Sequence, residues 1–225
     1  MDWLKNLLFE VLQAIYGVVG DYGVAIIGLT VLVRLLLLPL TLKQTRSMYE
    51  LQRIQPKMKE LQEKHKNDKA KLQEETLKFY QENKVNPFGG CLPLLLQMPV
   101  FIALFSILGK GGQLEQAAST PAFWKILPDL TQSAGSMFNA GGIAGSWEYV
   151  LFVLLFGAAT VIPQLLQPGG QAQQRQMAII MGGMMLFFGW SVYAGVVLYW
   201  VTSSLLGVGQ QLIQTRVYKA REDVA

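Results

Sequence analysis

Residues 30–43 of the chain, T-V-L-V-R-L-L-L-L-P-L-T-L-K, form an apolar run that carries a single arginine, Arg34, near its middle. Hydrophobic residues make up 52% of the 225 residues and charged residues only 15%, whereas soluble domains carry about 25%. Long apolar runs are typical of helical membrane spans, and here they cover residues 22–42, 92–109, 149–166 and 177–208. The sequence therefore predicts an all-α polytopic membrane protein, because barrel strands would instead alternate in polarity.

The residue types that most chemistry requires are scarce. The chain has one cysteine, Cys91, and one histidine, His65, which lies in a charged stretch. A single thiol excludes an internal disulfide and a thiolate metal cluster built within one chain, and neither glycine-rich phosphate-binding motif is present. A rhomboid-like protease would need a histidine inside the membrane. These observations do not indicate nucleophilic, metal or nucleotide chemistry, and we predict no catalytic residue, no metal and no cofactor.

The basic residues predict the topology. Residues 43–90 carry 11 of the 19 lysines and arginines, the loop 110–148 carries two, and the tail 213–225 carries three. Because cytoplasmic segments carry the excess of positive charge, we expect residues 43–90 and the short basic tail in the cytoplasm. The N-terminus and the extracytoplasmic loop 110–148 would then lie outside.

The apolar run 177–208 is too long for one straight span. Its 32 residues would make a helix of roughly 48 Å, against about 30 Å of hydrocarbon, and one crossing would leave the basic tail outside. We predict a hairpin with a break near Gly189 to Gly195 and a short fourth span. Five spans follow, at residues 23–42, 92–109, 149–166, 177–190 and 194–212, with a cytoplasmic loop at 167–176.

Three further segments have a predicted structure. Residues 1–22 have helical apolar spacing and form either an interfacial amphipathic helix or a helix packed on the bundle. Residues 43–90 are expected to form a cytoplasmic helical hairpin with its turn at residues 66–68. Its lysines are either solvated or in contact with lipid phosphates or ribosomal RNA. The small, glycine-rich stretch 133–146 is expected to be mobile.

Arg34 lies roughly 13 Å or more from either end of its predicted span, at 1.5 Å per residue. A charge at that depth costs about 2.5–3.5 kcal/mol on insertion scales, and none of the five predicted spans contains Asp or Glu. Its partner must therefore be water, an uncharged polar group or another molecule. Polar residues in the spans either line a hydrated cavity or join helices as structural hydrogen bonds; they are Thr30, Gln97, Gln164, Thr202, Ser203 and Ser204.

Four segments resemble the YidC family of membrane protein insertases. They are G-L-T-V-L-V-R-L-L-L-L-P-L-T-L-K-Q (28–44), I-Q-P-K-M-K-E-L (54–61), N-P-F-G-G-C-L-P-L-L-L-Q-M-P-V-F-I-A-L-F (86–105) and A-G-V-V-L-Y-W-V-T-S-S-L-L-G-V-G-Q-Q (194–211). The resemblance covers nearly the whole chain and is closest to the compact bacterial form, which lacks a large periplasmic domain. One departure is Tyr193, which stands where the family commonly has a proline before the last span.

The resemblance implies five transmembrane helices around a hydrophilic groove that opens to the cytoplasm and to lipid. It implies that Arg34, Thr30, Gln164 and Trp200 line the groove, to which the polarity argument adds Gln97. It also implies a hydrophobic slide for substrates, formed by Met98, Phe101 and Tyr199 together with Trp200.

The expected function is that of an insertase and chaperone in the bacterial cytoplasmic membrane, working without nucleotide hydrolysis. Because such an insertase forms no covalent intermediate, we expect a protein that is not an enzyme. Its partners would be nascent membrane proteins, the lipid bilayer, the ribosome and, for some substrates, the Sec translocon, with no specific DNA. Two alternatives stay open at this point. A solute channel would use Arg34 to bind an anion, although no internal repeat is present, and a pure assembly scaffold would not need the charge of Arg34.

Overall fold

The computed structural model of the chain describes residues 2–66, 68–83, 85, 92–118, 120–165 and 172–222. These residues form α-helices and no β-strand beyond two isolated bridges, which confirms the all-α prediction for this part of the chain. The helices are α1 (Asp2–Val19), α2 (Tyr22–Lys64), α3 (Lys69–Glu82), α4 (Leu92–Leu108), α5 (Gln113–Ala117), α6 (Ala134–Gly141), α7 (Trp147–Leu165), α8 (Ala172–Ser191) and α9 (Ala194–Glu222).

Within the part of the chain that the structure describes, two helical segments are long and apolar enough to cross a membrane, namely Tyr22–Leu51 and Ala194–Gln214, and Trp147–Ile162 is a shorter apolar helix. Helices α2 and α9 both continue past the predicted span ends at residues 42 and 212. Those predicted ends mark a change from apolar to charged sequence, which does not by itself stop a helix. Similarly, α8 has 20 residues, about 30 Å, and is longer than the predicted fourth span 177–190.

The chain divides into two compact units, one of Met1–Leu36 with Gln97–Gln210 and one of Leu37–Leu96 with Gln211–Ala225. The first unit has a continuous apolar core because α1, α2, α4, α7 and α9 each direct apolar side chains inward. The core includes the fully buried side chains of Leu12, Ile26, Leu29, Leu104, Ile107, Leu108, Tyr149 and Val196.

Helix α1 packs on the first unit through one face. Leu8 and Leu12 are buried, and the rings of Tyr16 and Tyr22 stack with centroids 3.8 Å apart. The opposite face leaves Trp3 70% exposed. The packed arrangement is therefore present, and the exposed tryptophan leaves a surface available to a bilayer interface.

Residues 120–133 bind the N-terminal ends of two long helices. Gly23 N–H of α2 donates to the Ala122 carbonyl at 3.2 Å, Ala194 N–H of α9 donates to the Gln132 carbonyl at 2.8 Å, and Gly195 N–H donates to the Leu130 carbonyl at 2.8 Å. The first N–H groups of a helix have no partner within it. The segment therefore caps both helices and is held in place by them.

The glycine-rich stretch 133–146, expected to be mobile, contains helix α6. Ser133 caps this helix, since its hydroxyl accepts from Ser136 N–H at 3.1 Å and Ser133 N–H donates to the Ser136 hydroxyl at 3.0 Å. Such a reciprocal cap stabilises a short helix start that glycine content alone would disfavour. The two serines are three positions apart, which is the spacing of a capping box. The expectation of a mobile stretch did not take this pair into account.

The connection between α8 and α9 consists of Val192 and Tyr193 alone, so a tight turn forms without the family's proline. Ser133 and Tyr193 form an isolated bridge, and the Tyr193 ring packs on Phe105 with centroids 5.3 Å apart. Neither Gly189 nor Gly195 has a positive φ. The predicted break is therefore in the correct place, but backbone bonding and an aromatic contact hold it rather than glycine flexibility.

In the second unit, residues 43–64 of α2 and helix α3 lie in the segment 43–90 that was predicted to form a hairpin. Asp68 caps α3 by accepting from Lys71 N–H at 3.0 Å, and Met58 and Val85 are buried. Asn67, in the middle of the predicted turn, lies outside the described residues, as do residues 86–91.

Candidate functional site

Arg34 lies on α2, and two groups of one residue on α9 bind its guanidinium. Its Nε donates to the Ser203 hydroxyl at 2.9 Å, and its Nη2 donates to the Ser203 carbonyl at 2.5 Å. The side chain is only partly buried. No carboxylate among the described residues lies within ion-pair distance of it. The arginine is therefore oriented by neutral oxygens, and no described carboxylate compensates its charge.

Gly207 lies one helical turn beyond Ser203 and faces the same guanidinium. A methyl group added at this glycine would lie 3.2 Å from Nη2 and 3.3 Å from Nη1 of Arg34. Ser203 and Gly207 are four residues apart, so they share one face of α9. Two small residues in this spacing allow the long arginine side chain to lie directly against the helix backbone.

Thr30, one turn before Arg34 on α2, is fully buried, with an exposure of 0%. Its hydroxyl donates to the Ile26 carbonyl of its own helix at 2.6 Å. The structure therefore places Thr30 inside the bundle, where its hydroxyl is already satisfied. A role as a groove-facing group would therefore need the surrounding helices to move apart.

Gln97 and Tyr199 form a polar contact between α4 and α9, in which Gln97 Nε2 donates to the Tyr199 hydroxyl. Tyr199 is only 1% exposed. It therefore lies in the core, and its role in the predicted hydrophobic slide would need the bundle to open. Gln97 is partly exposed, so this hydrogen bond joins a residue at the surface to one in the core.

Aromatic rings from three helices meet beside this contact. The Trp200 ring packs edge-on against Phe101 of α4 and Phe156 of α7, with centroids 5.5 and 5.7 Å away. Phe156 is buried, whereas Phe101 and Trp200 are partly exposed. Met98, on the same helix as Phe101, is 40% exposed. Met98, Phe101 and Trp200 are thus available as an apolar surface.

Gln164 lies near the end of α7 and is partly exposed. Its Nε2 donates to the Thr160 carbonyl of its own helix at 3.2 Å. Its bond is therefore local, and the structure records no hydrogen bond from it to Arg34 within the described residues.

From the sequence, Ser203 is only one of several polar residues expected near Arg34, and Gly207 is not among them. The signal was present, because T-S-S-L-L-G contains two small residues four apart, which is typical of close helix contacts. Among the described residues, no group of three or more His, Cys, Asp or Glu side chains is arranged to hold a metal ion. The candidate site is therefore one cation, a neutral clamp and an adjacent aromatic surface.

Residues 14–222 match the model of the family described as 60Kd inner membrane protein. The chain belongs to this family. The resemblance to YidC is confirmed, because curated relatives named membrane protein insertase YidC share extensive identity with it. The protein from Cellvibrio japonicus is 39% identical over 216 residues, which are 95% of this chain. The protein from Fusobacterium nucleatum is 36% identical over 216 residues, which are 94% of this chain and 96% of that protein.

A solved structure shares the fold. The crystal structure of an active YidC insertase, with its first transmembrane domain resolved, superposes with a TM-score of 0.69 at 28% identity and covers 92% of this chain and 46% of that chain. The chain spans about a third of several curated relatives, 36% of the one from Cellvibrio japonicus, but nearly all of the one from Fusobacterium nucleatum. The chain thus belongs to the YidC family, whose model is described as an inner membrane protein, and it matches some relatives only over their shared part.

Proposed function

We propose that the chain is a membrane protein insertase, which takes hydrophobic segments of nascent membrane proteins from the cytoplasm into the bilayer. The observation that carries this proposal is the state of Arg34. Its positive charge lies in an apolar helix, and within the described residues its only hydrogen-bond partner is Ser203. Charged residues inside spans are costly and usually functional. The relative from Fusobacterium nucleatum, which matches over 94% of this chain and 96% of its own length, is named for the same activity.

In the proposed mechanism, Arg34 receives the acidic tail of an incoming client for a short time. Water in the groove hydrates that tail partway across, which shortens the apolar distance it must travel. The client's hydrophobic segment leaves along the apolar surface of Met98, Phe101 and Trp200 into lipid. Insertion of about 20 apolar residues at roughly −0.5 kcal/mol each supplies on the order of 10 kcal/mol. No covalent intermediate and no nucleotide are involved.

The proposed topology has five spans with the N-terminus outside and the hairpin and C-terminal tail in the cytoplasm. The basic residues of the segment 43–90 support this orientation through the positive-inside rule. The capping of α2 and α9 by residues 120–133 supports a groove that is closed at that end. The ribosome and, for some clients, the Sec translocon are proposed partners on the cytoplasmic and lateral sides.

The proposal is tested with purified protein in liposomes and a short single-span client whose translocated tail is acidic. A matched client carries Asn in place of each Asp. Wild type, Arg34→Ala and Arg34→Lys are compared by protease protection of the tail. We expect protection with wild type, a loss for the acidic client with Arg34→Ala, and substantial retention with Arg34→Lys, because the charge is conserved.

Equal protection of the acidic client by wild type and Arg34→Ala would remove Arg34 from the mechanism. No protection by folded wild-type protein would overturn autonomous insertion and favour an assembly scaffold. Leakage of a small anion from the same liposomes, without client insertion, would favour a solute channel. The three outcomes are distinguishable in one set of vesicles.

A further inference from the structure

The two edges of the Arg34 guanidinium have different environments. A guanidinium can hold a carboxylate by two parallel N–H···O bonds, either along its Nε–Nη2 edge or along its Nη1–Nη2 edge. Ser203 presents two oxygens to the first edge, with its hydroxyl on Nε and its carbonyl on Nη2. One neutral residue therefore occupies the edge in the way a carboxylate would, and it fixes the plane of the guanidinium.

The second edge faces Gly207. Within the described residues Nη1 donates no hydrogen bond, so both of its N–H groups and one on Nη2 have capacity left. A charge-assisted N–H···O bond places the oxygen about 2.7–2.9 Å from the nitrogen. A side-chain carbon at position 207 would lie 3.2 and 3.3 Å from these same nitrogens. The same carbon would lie 3.5 Å from Cζ, so it would crowd a carboxylate oxygen bound at this edge.

We propose that Gly207 is a specificity-determining residue, whose missing side chain leaves a slot for a client carboxylate on the Nη1–Nη2 edge. Ser203 is the matching positioning residue, because it holds the guanidinium so that this edge faces the slot. Both Arg34 and Gly207 are partly exposed, so the slot is accessible. This inference rests on the proposed insertase function and specifies the atoms by which the acidic tail is bound.

A different role for Gly207 would be packing alone, since the arginine side chain lies against the helix backbone. Packing would affect every client alike, whereas the slot affects only clients that bring a carboxylate. The chain provides a matched control at Gly209. A side-chain carbon there meets nothing within 4 Å, and the residue lies on the same helix only two positions away.

The experiment uses the full chain in liposomes and the two clients that differ only by Asp or Asn in the tail. Insertion rates are measured for wild type, Gly207→Ala, Gly209→Ala and Ser203→Ala. We expect Gly207→Ala to slow the acidic client by about tenfold or more, the factor for one lost bond to a charged group. The neutral client should change no more than it does with Gly209→Ala. Ser203→Ala should slow the acidic client less, because its main-chain carbonyl still binds Nη2.

A second comparison combines Gly207→Ala with Arg34→Ala. If the slot acts through the guanidinium, the double variant should insert both clients as Arg34→Ala does alone. If Gly207→Ala slowed insertion of both clients equally, and adding Arg34→Ala restored neither rate, Gly207 would have a packing role. That result would overturn the inference. If wild type inserted the acidic client and Gly207→Ala inserted it at the same rate, the inference would be overturned but the proposed function would stand. A wild type that inserts neither client would overturn the proposed function itself.

Discussion

Replacing Gly182 with alanine tests how α7 and α8 are held together. Three glycines place these two helices in close contact, since side-chain carbons at Gly157, Gly182 and Gly189 would meet Leu186, Val161 and Phe156. Gly182 is buried, and the added carbon would overlap a methyl group of Val161. Its neighbour Gly183 is exposed, and a carbon there meets nothing within 4 Å. The two substitutions are chemically identical and differ only in what the new methyl group touches.

The expected difference in the free energy of unfolding follows from that contact. Gly→Ala in a helix gains about 0.5–1 kcal/mol through backbone entropy and helix propensity, and this gain is common to both positions. At Gly182 the clash opposes it, because Val161 is β-branched and has essentially one χ1 rotamer in a helix. Overpacking costs about 1–3 kcal/mol. Gly182→Ala should therefore be less stable than Gly183→Ala by about 1–3 kcal/mol.

The assay is thermal unfolding in one detergent, followed by circular dichroism. A difference of 1 kcal/mol corresponds to about 2–4 °C for a chain of this size. Val161→Ala in the Gly182→Ala background should restore part of the loss, with a coupling of about 0.5–3 kcal/mol. Equal melting temperatures for Gly182→Ala and Gly183→Ala would refute the close contact between α7 and α8.

Three other stability predictions use the same melting assay. Asp21→Ala should destabilise by about 1–3 kcal/mol, because its carboxylate accepts one N–H at the start of α2 and one from the segment 120–133; a melting temperature like that of wild type would contradict it. Tyr149→Phe should cost about 1–3 kcal/mol, since its hydroxyl binds both backbone groups of Asp129, and an unchanged melting temperature would argue against that anchor. Leu12→Ala should cost about 2–5 kcal/mol, while Leu7→Ala, at a half-exposed position on the same helix, should cost much less.

The helical class and the α8–α9 turn could be predicted because both follow from run length. An apolar run of 177–208 cannot remain straight in a bilayer about 30 Å thick, and the structure turns at Val192 and Tyr193. The bonds that hold this turn could not be predicted. They join Ala194 and Gly195 to residues more than 60 positions earlier, and nothing in the local sequence specifies that pairing.

The charge of Arg34 and the lack of an acidic partner were also evident from the sequence. Which hydroxyl binds it was not, because Thr202, Ser203 and Ser204 point in directions about 100° apart around a helix. The rotation of α9 is decided by the packing of its whole apolar face, which leaves Ser203 toward the arginine. The same rotation explains why Tyr199, which was expected on the substrate-contacting surface, lies in the core against Gln97.

The neutral clamp on Arg34 leads to a last prediction, at Ser203 itself. Aspartate at this position would give the guanidinium an internal carboxylate, and a client carboxylate would then compete with a permanent neighbour. Ser203→Asp should therefore reduce insertion of the acidic client to the level of Arg34→Ala. Asparagine has nearly the same size and hydrogen-bonding reach as aspartate but no charge, so Ser203→Asn should retain most of the insertion activity. If the two variants behaved alike, steric crowding would explain the loss. A selective loss with Asp would mean that serine orients the arginine while leaving its charge uncompensated for the client.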